Sequence, residues 1–331
     1  MRLIITLIVF VLFSSGLQAQ YIPGSAQPFQ FASLYNPAFT GIENFGDLKF
    51  GYRYQWAAFK DNAPQFANLS YTTRIKQPLD LKVNALRTSR TDFKNLVPKA
   101  RLNIQGLGFQ LFNEKYGPLN RTGGGVNYAI HFPVRDKMFL AAGGGLSIEN
   151  IRLDGDELYF GENPDPDEFM DYLKSGSGNH TELWSRVGLL LYGERFYVGA
   201  TYYPWNTSVA TSDVAFNNPF YKANAQVGFA FRLNEDFILR PSVFALWQVN
   251  GKWLIDYAAK FYLQERAWFG LTYRDIQSGI GSAGFNINEK FSVAYSFEFS
   301  LGKLRTFTGG SHDVVLSMRI NNLKRVNQYT W

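Results

Sequence analysis

Stretches of about ten residues in which apolar and polar side chains alternate recur from residue 48 to residue 321, separated by turns. In Lys290 to Phe299, the positions Phe291, Val293, Tyr295, Phe297 and Phe299 are apolar, while Lys290, Ser292, Ser296 and Glu298 are polar. Leu48, Phe50, Tyr52, Tyr54, Trp56 and Ala58 alternate in the same way with Lys49, Arg53 and Gln55, and Ala223, Ala225, Val227, Phe229 and Phe231 with Lys222, Asn224, Gln226 and Arg232. Trp253, Ile255, Tyr257, Ala259, Phe261 and Leu263 form a fourth example. Side chains in a strand point to opposite faces with period two, so each stretch has one oily and one wet face. Two architectures use such strands: a soluble sandwich with its oily faces packed together, and a barrel with its oily face in lipid.

The spacing of the connections favours the barrel. The alternation predicts fourteen strands, at about 48–59, 65–75, 105–113, 121–133, 137–152, 182–192, 195–204, 222–233, 237–248, 253–263, 267–274, 279–287, 290–300 and 312–321. Every second link is a tight polar turn: Arg135-Asp136, Gly193-Glu194, Asn234-Glu235, Gln264-Glu265 and Asn288-Glu289. The links between them are longer, at 113–121, 153–181, 205–221 and 301–311. Short turns on the periplasmic side, long loops outside and an even strand number are barrel traits. The link 76–104 breaks the rule: it is long on the short side and carries Lys82, Arg87, Arg90, Lys94, Lys99 and Arg101.

Composition points the same way. Aromatic residues make up 17% of the chain, yet the mean hydropathy is only −0.17. No stretch beyond the first nineteen residues approaches the ~20 apolar residues of a spanning helix. Barrel strands expose only alternate residues to lipid and need no such run. Trp56, Trp184, Trp205, Trp247, Trp253 and Trp268 fall near strand ends, where aromatic rings form the girdles of the two interfaces. The net charge of +6 comes with no basic helix or stacking platform, which argues against nucleic-acid binding.

Met1-Arg2, the apolar run Leu3 to Phe13 and the small residues up to Ala19 read as a secretory signal peptide over 1–19. There is no cysteine, so neither a lipidated cysteine nor a disulfide framework is available. The expected organisation is then an N-terminal segment at 20–46 and a barrel at 47–331, with a basic insertion at 76–104 and long exterior loops at 153–181 and 205–221.

The sequence offers little for catalysis. Acidic residues crowd 154–171, but their spacing fits no calcium loop. The three histidines, His131, His180 and His312, are scattered. Ser311, His312 and Asp313 are neighbours on a strand, so Ser311 and Asp313 face one way and His312 the other, which excludes a relay. No metal-ligand spacing, phosphate loop or dinucleotide fingerprint is present, so neither enzyme activity nor a cofactor is expected. The wet faces carry Arg53, Arg74, Arg240, Lys260 and Arg274 as candidate lumen residues. They would favour anionic solutes in an open lumen, or cancel against a plug or membrane lipopolysaccharide.

Gln27 to Gly41 contains Leu34-Tyr35-Asn36-Pro37-Ala38-Phe39-Thr40-Gly41, followed by Tyr52-Arg53-Tyr54-Gln55-Trp56. This opening resembles the PorP/SprF family of type IX secretion and gliding-motility outer-membrane proteins of the Bacteroidetes. Gly106-Leu107-Gly108-Phe109 with Asn113 to Pro118, the strand around Tyr197-Val198-Gly199-Ala200, and Gly309-Gly310-Ser311-His312-Asp313-Val314 extend the similarity over the whole mature chain. Asp313 stands where the family usually has glutamate. The resemblance implies an all-β, antiparallel up-and-down barrel of the outer membrane. It implies a role in binding and anchoring a cognate secreted adhesin or surface protein by its type IX C-terminal domain, with other secretion components at the periplasmic side. A channel or hydrophobic-solute transporter is the alternative. Asn36-Pro37 initiates a turn and Gly41 relaxes the backbone, so the motif is expected to tuck the N-terminal segment into the periplasmic end as a plug. Gly309-Gly310-Ser311 is expected to lead the backbone into the closing strand.

Overall fold

The computed structural model describes residues 24–75, 103–135, 138–154, 179–208, 221–234, 236–248, 251–263, 266–275, 278–302 and 305–321. Fifteen strands follow one another: β1 (Gly46–Tyr54), β2 (Gln65–Ile75), β3 (Ile104–Tyr116), β4 (Leu119–Arg135), β5 (Met138–Leu153), β6 (Asn179–Gly193), β7 (Phe196–Ser208), β8 (Tyr221–Phe229), β9 (Phe231–Arg232), β10 (Phe237–Gln248), β11 (Trp253–Leu263), β12 (Ala267–Arg274), β13 (Ser278–Asn286), β14 (Phe291–Ser300) and β15 (Ser311–Ile320). Sequence neighbours pair antiparallel, apart from β8 and β9. β1 also pairs with β15, from Gly46↔Ile320 to Tyr54↔His312, which closes the sheet. β8 and β9 are two pieces of one wall strand interrupted at Ala230, and both pair with β10. The wall therefore has fourteen strands.

The alternation separates the two faces. Phe109, Leu111, Val126, Leu146, Ile148, Leu189, Phe269 and Leu271 point outward and are exposed, whereas Gln110, Asn127, Ser147, Glu149, Arg186 and Arg274 point inward and are buried. A polar inside and apolar outside invert a soluble protein, as a lipid surround demands. On β3 to β6 the outward apolar row Leu111–Gly124–Ile148–Leu183 gives way to Asn113–Thr122–Asn150–Thr181. There the Asn113 amide donates to Asn120 (3.0 Å) and Thr122 (2.7 Å), and the Asn150 amide to Asn179 (2.8 Å) and Thr181 (3.0 Å). These four strands project beyond the apolar band at the end that carries links 154–178 and 209–220, here called the upper end.

The tight lower turns have a common chemistry. Asn234 Oδ1 accepts from the backbone N–H groups of Asp236 and Phe237, and Asn288 Oδ1 from those of Lys290 and Phe291. An asparagine that bonds its own backbone ahead fixes a turn locally. Three expectations change. The link 113–121 is a hairpin turn at 117–118, because β3 and β4 continue to Tyr116 and from Leu119. The links 249–252 and 275–277 are also short, so loop lengths segregate less sharply than the sequence indicated. β1 ends at Tyr54: Trp56 adopts a left-handed conformation (φ 55°) and the chain turns into a 3-10 helix at Ala57–Asn62. Most of links 76–104, 153–181 and 205–221 lies outside the described residues.

Leu189 is 60% exposed near the middle of β6, whereas Thr181 stands in the polar row above. Leu189→Arg is expected to destabilise the barrel by about 2–4 kcal/mol and Thr181→Arg by about 1 kcal/mol or less. Reversible denaturant unfolding in lipid vesicles measures both; equal losses would contradict the assigned lipid boundary.

Candidate functional site

Residues 24–45 run through the lumen, and wall side chains meet their backbone all the way. At the upper end the Ser25 hydroxyl and the Ala26 N–H both donate to one carboxylate oxygen of Asp313, at 2.6 and 2.7 Å. Further down, Lys49 donates to the Gln30 carbonyl (2.6 Å), Asn127 to that of Ser33 (3.0 Å) and Arg186 to that of Leu34 (2.6 Å). Asn224 donates to the Tyr35 carbonyl at 2.8 Å. At the lower end Arg74 donates to the carbonyls of Gly41 and Ile42 (3.2 and 2.9 Å). The segment thus occupies more of the barrel than its lower end, where the sequence reading placed it. Its upper residues lie beside Asp313, two residues from the upper end of β15.

The element Asn36-Pro37-Ala38-Phe39 is the tightest part of this path. Asn36 is fully buried; its Oδ1 accepts from the Ala38 N–H (2.9 Å) and its amide donates to the carbonyls of Leu189 (3.2 Å) and Ala200 (3.4 Å). One side chain therefore caps the 3-10 turn Pro37–Phe39, whose first position suits proline, and ties it to both β6 and β7. The approach is close enough that a Cβ at Gly188 would collide with the Asn36 amide. Gly41 (φ 77°) and Gly106 likewise meet backbone to backbone, leaving no room for a side chain on either. Leu34 packs beside Phe31 and Val315, Tyr35 meets Phe244 edge-on at 5.1 Å, and Phe39 meets Tyr197 at 5.6 Å. Ala38 is completely buried.

All five candidate lumen cations face inward, but their charge is already engaged. Arg274 makes a two-pronged ion pair with Asp256 (2.7 and 2.8 Å) and reaches Glu298 at 3.3 Å, and Arg53 joins Glu298 at 2.8 Å. Arg240 lies over the Tyr262 ring (4.5 Å) and Lys260 over the Phe29 ring (3.0 Å). Arg74 holds the segment. The reading of a free cationic path for anions therefore gives way to charges set against wall carboxylates and the segment. Removing one partner of such a buried pair costs about 3–5 kcal/mol, because a charge is left uncompensated.

In the closing element, Gly309 and Gly310 both have positive φ, the Gly310 carbonyl accepts from the Ala57 N–H (2.8 Å) and Ser311 Oγ from the Trp56 N–H (3.1 Å). Asp313 faces the lumen. His312 faces outward and contacts the Tyr295 hydroxyl through Nδ1 at 2.8 Å. Two tryptophans assigned to girdles, Trp184 and Trp268, instead face inward; Trp184 is 4% exposed and Trp268 packs on Phe29. Parity gives the reason: Trp184 is in phase with Glu182 and Arg186, and Trp268 with Arg274.

Sequence reasoning missed Lys49, Asn127, His131, Arg186 and Asn224 as contacts of the segment. His131 is fully buried with Nε2 2.8 Å from the Thr40 carbonyl and Nδ1 2.9 Å from the Tyr192 hydroxyl. A carbonyl only accepts, so Nε2 carries the proton and Nδ1 accepts from Tyr192. The available signal was polar residues on the inner phase of glycine-rich strands. His180, placed in a loop by the sequence, lies in β6 and bonds Glu182 at 3.0 Å. It joins an upper cluster in which Arg121 pairs with Glu149 and Glu114. Between this cluster and the segment, a space of about 50 Å³ remains, lined by Phe66, Phe112, Trp184 and Tyr203.

A closed antiparallel barrel, apolar outside and threaded by its own N-terminal segment, defines an outer-membrane β-barrel protein with an occupied lumen. The chain belongs to the PorP/SprF family: the family model for type IX secretion system membrane protein PorP/SprF matches residues 17–318. It is accordingly an outer-membrane component of type IX secretion. Nothing among the curated proteins matches the sequence. Solved structures with similar folds include the Ralstonia pickettii toluene transporter TbuX (12% identity, 92% of this chain and 96% of that one, TM-score 0.49). The Pseudomonas putida toluene transporter TodX (9%, 92% and 95%, 0.47) and the Acinetobacter baumannii outer membrane protein Omp33 (11%, 85% and 100%, 0.46) are also similar.

Asn36→Ala loses all three bonds, and Asn36→Asp sets a buried carboxylate oxygen against the carbonyls of Leu189 and Ala200. Stability is expected to fall in the order Asn, Ala, Asp, with Asn36→Ala costing about 1–3 kcal/mol and Asn36→Asp more, because its charge is uncompensated. Thermal unfolding in detergent, read by heat-modifiable gel migration, checks the order; an alanine variant as stable as the parent would contradict the anchoring role.

Proposed function

We propose that this barrel binds and anchors a secreted surface protein, an adhesin recognised by its type IX C-terminal domain, and that residues 20–46 act as the plug of an otherwise rigid docking scaffold. The observation that carries this reading is the occupied lumen: residues 24–45 are hydrogen-bonded to the wall from Asp313 to Arg74. Such a barrel offers surface rather than passage. Family membership supplies the process. Long loops on a rigid frame are where recognition concentrates, so the exterior links 153–181 and 205–221 are the segments assigned to the cargo. The remaining secretion components meet the lower, periplasmic rim.

The affinity-tagged barrel, extracted from its native membrane, is expected to co-purify with a single secreted protein bearing such a domain. Deleting the middle of either loop should release that protein into the medium while the barrel stays folded. Full surface retention in both deletions would refute the assignment of the loops.

A further inference from the structure

One seam of the outer wall breaks the regular ladder. Between β8/β9 and β10 the ladder runs to Gly228↔Ser242 and resumes at Phe231↔Leu239, leaving Phe229 and Ala230 opposite Arg240 and Pro241 without a rung. Pro241 has no N–H to offer, and the Ala230 N–H turns to the Arg195 carbonyl at 2.7 Å. Two outward rows meet there: Val227–Val243–Tyr257–Tyr273, and Pro241–Ala259–Leu271 below it. Small side chains in the centre and large ones at the rim produce a trough of about 520 Å³ whose lining is almost wholly apolar.

The upper end of this seam differs from its floor. Ala225 and Ala245 leave the way open to Trp247 and Trp253, which are exposed and stacked at 5.8 Å with 14° between their planes. The Lys222 ammonium sits 5.8 Å from the centre of the Trp247 ring. Tryptophan and lysine at this level mark the interface between headgroups and acyl chains. From Trp253 down to Ala259 is six residues, about 20 Å along a strand at ~3.4 Å each; with a tilt of ~40° this covers about 15 Å of depth. That is half of the ~30 Å hydrocarbon core, the depth of one leaflet.

We propose that this trough is a specific site for a phosphorylated, acylated glycolipid of the outer leaflet. One acyl chain lies in the groove over Val243, Pro241 and Ala259, and a headgroup phosphate meets Lys222 above the tryptophan pair. Depth, apolar lining and the cation at the upper end all match one molecule that carries both a chain and an anionic head. The site lies on the lipid-facing wall and is independent of cargo binding in the proposed function.

The test uses the full barrel, delipidated by detergent exchange and loaded separately with lipid A and with phosphatidylcholine, the bound lipid being counted by native mass spectrometry. The wild type is expected to retain one lipid A. Ala259→Trp, which fills the floor, and Lys222→Gln, which removes the cation, should each lower retention about tenfold. Ala142→Trp on the opposite outer wall should leave it unchanged. Lys222 lies at an exposed strand end, so its variant reports even where the bulky substitution prevents folding. Unchanged retention in Lys222→Gln, equal loss in Ala142→Trp, equal retention of phosphatidylcholine, or a lipid-free dimer sensitive to Ala259→Trp would each overturn the proposal.

Discussion

A stretch of chain outside the sheet, enclosed in a barrel, needs a hydrogen-bond partner for nearly every peptide group it carries, and the rest of the molecule is arranged around that requirement. Residues 24–45 meet part of it with their own tight turns, from the Gln30 N–H on the Gln27 carbonyl to the Ile42 N–H on the Phe39 carbonyl. Lys49, Asn127, Arg186, Asn224, His131 and Arg74 reach in from five wall strands to the carbonyls of residues 30 to 42, while Asp313 takes the donors at the upper end. These side chains are fixed by strand register, so the path of the segment is written into the phase of the wall. Glycines complete the fit: Gly106 of β3 and Gly143 of β5 let backbone approach backbone, and Gly188 of β6 makes room for the Asn36 side chain.

The same phase explains why the lumen tolerates so many ions. Arg53, Glu298, Arg274 and Asp256 form a chain of buried opposite charges across the six adjoining strands from β11 to β1, with Ser278 as a further donor to Glu298 at 2.8 Å. Each charge has a neighbour of opposite sign, which is the condition for burying it at all. Outside, the alternate residues meet lipid and need only be apolar. The wall is therefore a boundary between two solvents, one of them supplied by the protein itself.

This division sets what was legible in the sequence. The oily phase of Phe291 to Phe299 or Leu48 to Tyr54 reads directly, because lipid accepts any apolar side chain and alternation alone identifies the strand. The inner phase does not read so simply. Trp184 and Trp268 looked like girdle residues by their place near strand ends, and only their parity shows that they face inward. Asn113 to Asn120 looked like a loop because its side chains are polar on both faces, although β3 and β4 continue through it above the apolar band. The motif around Asn36 was visible as a corner, but its depth in the lumen was not, since the contacts that place it join residues more than 150 positions apart. A cation on the wet face carries no local sign of whether it lines a channel or clasps a carbonyl.

The barrel is an outer-membrane component of type IX secretion, with residues 24–45 hydrogen-bonded to the inside of its wall. The central claim is that residues 24–41 close the lumen. Single-channel recording of the purified protein in planar lipid bilayers tests it most directly, comparing the intact chain with one lacking 24–41. The account predicts a silent intact barrel and steady, open conductance after the deletion. Steady current through the intact protein, or silence from a folded barrel without the segment, would contradict it.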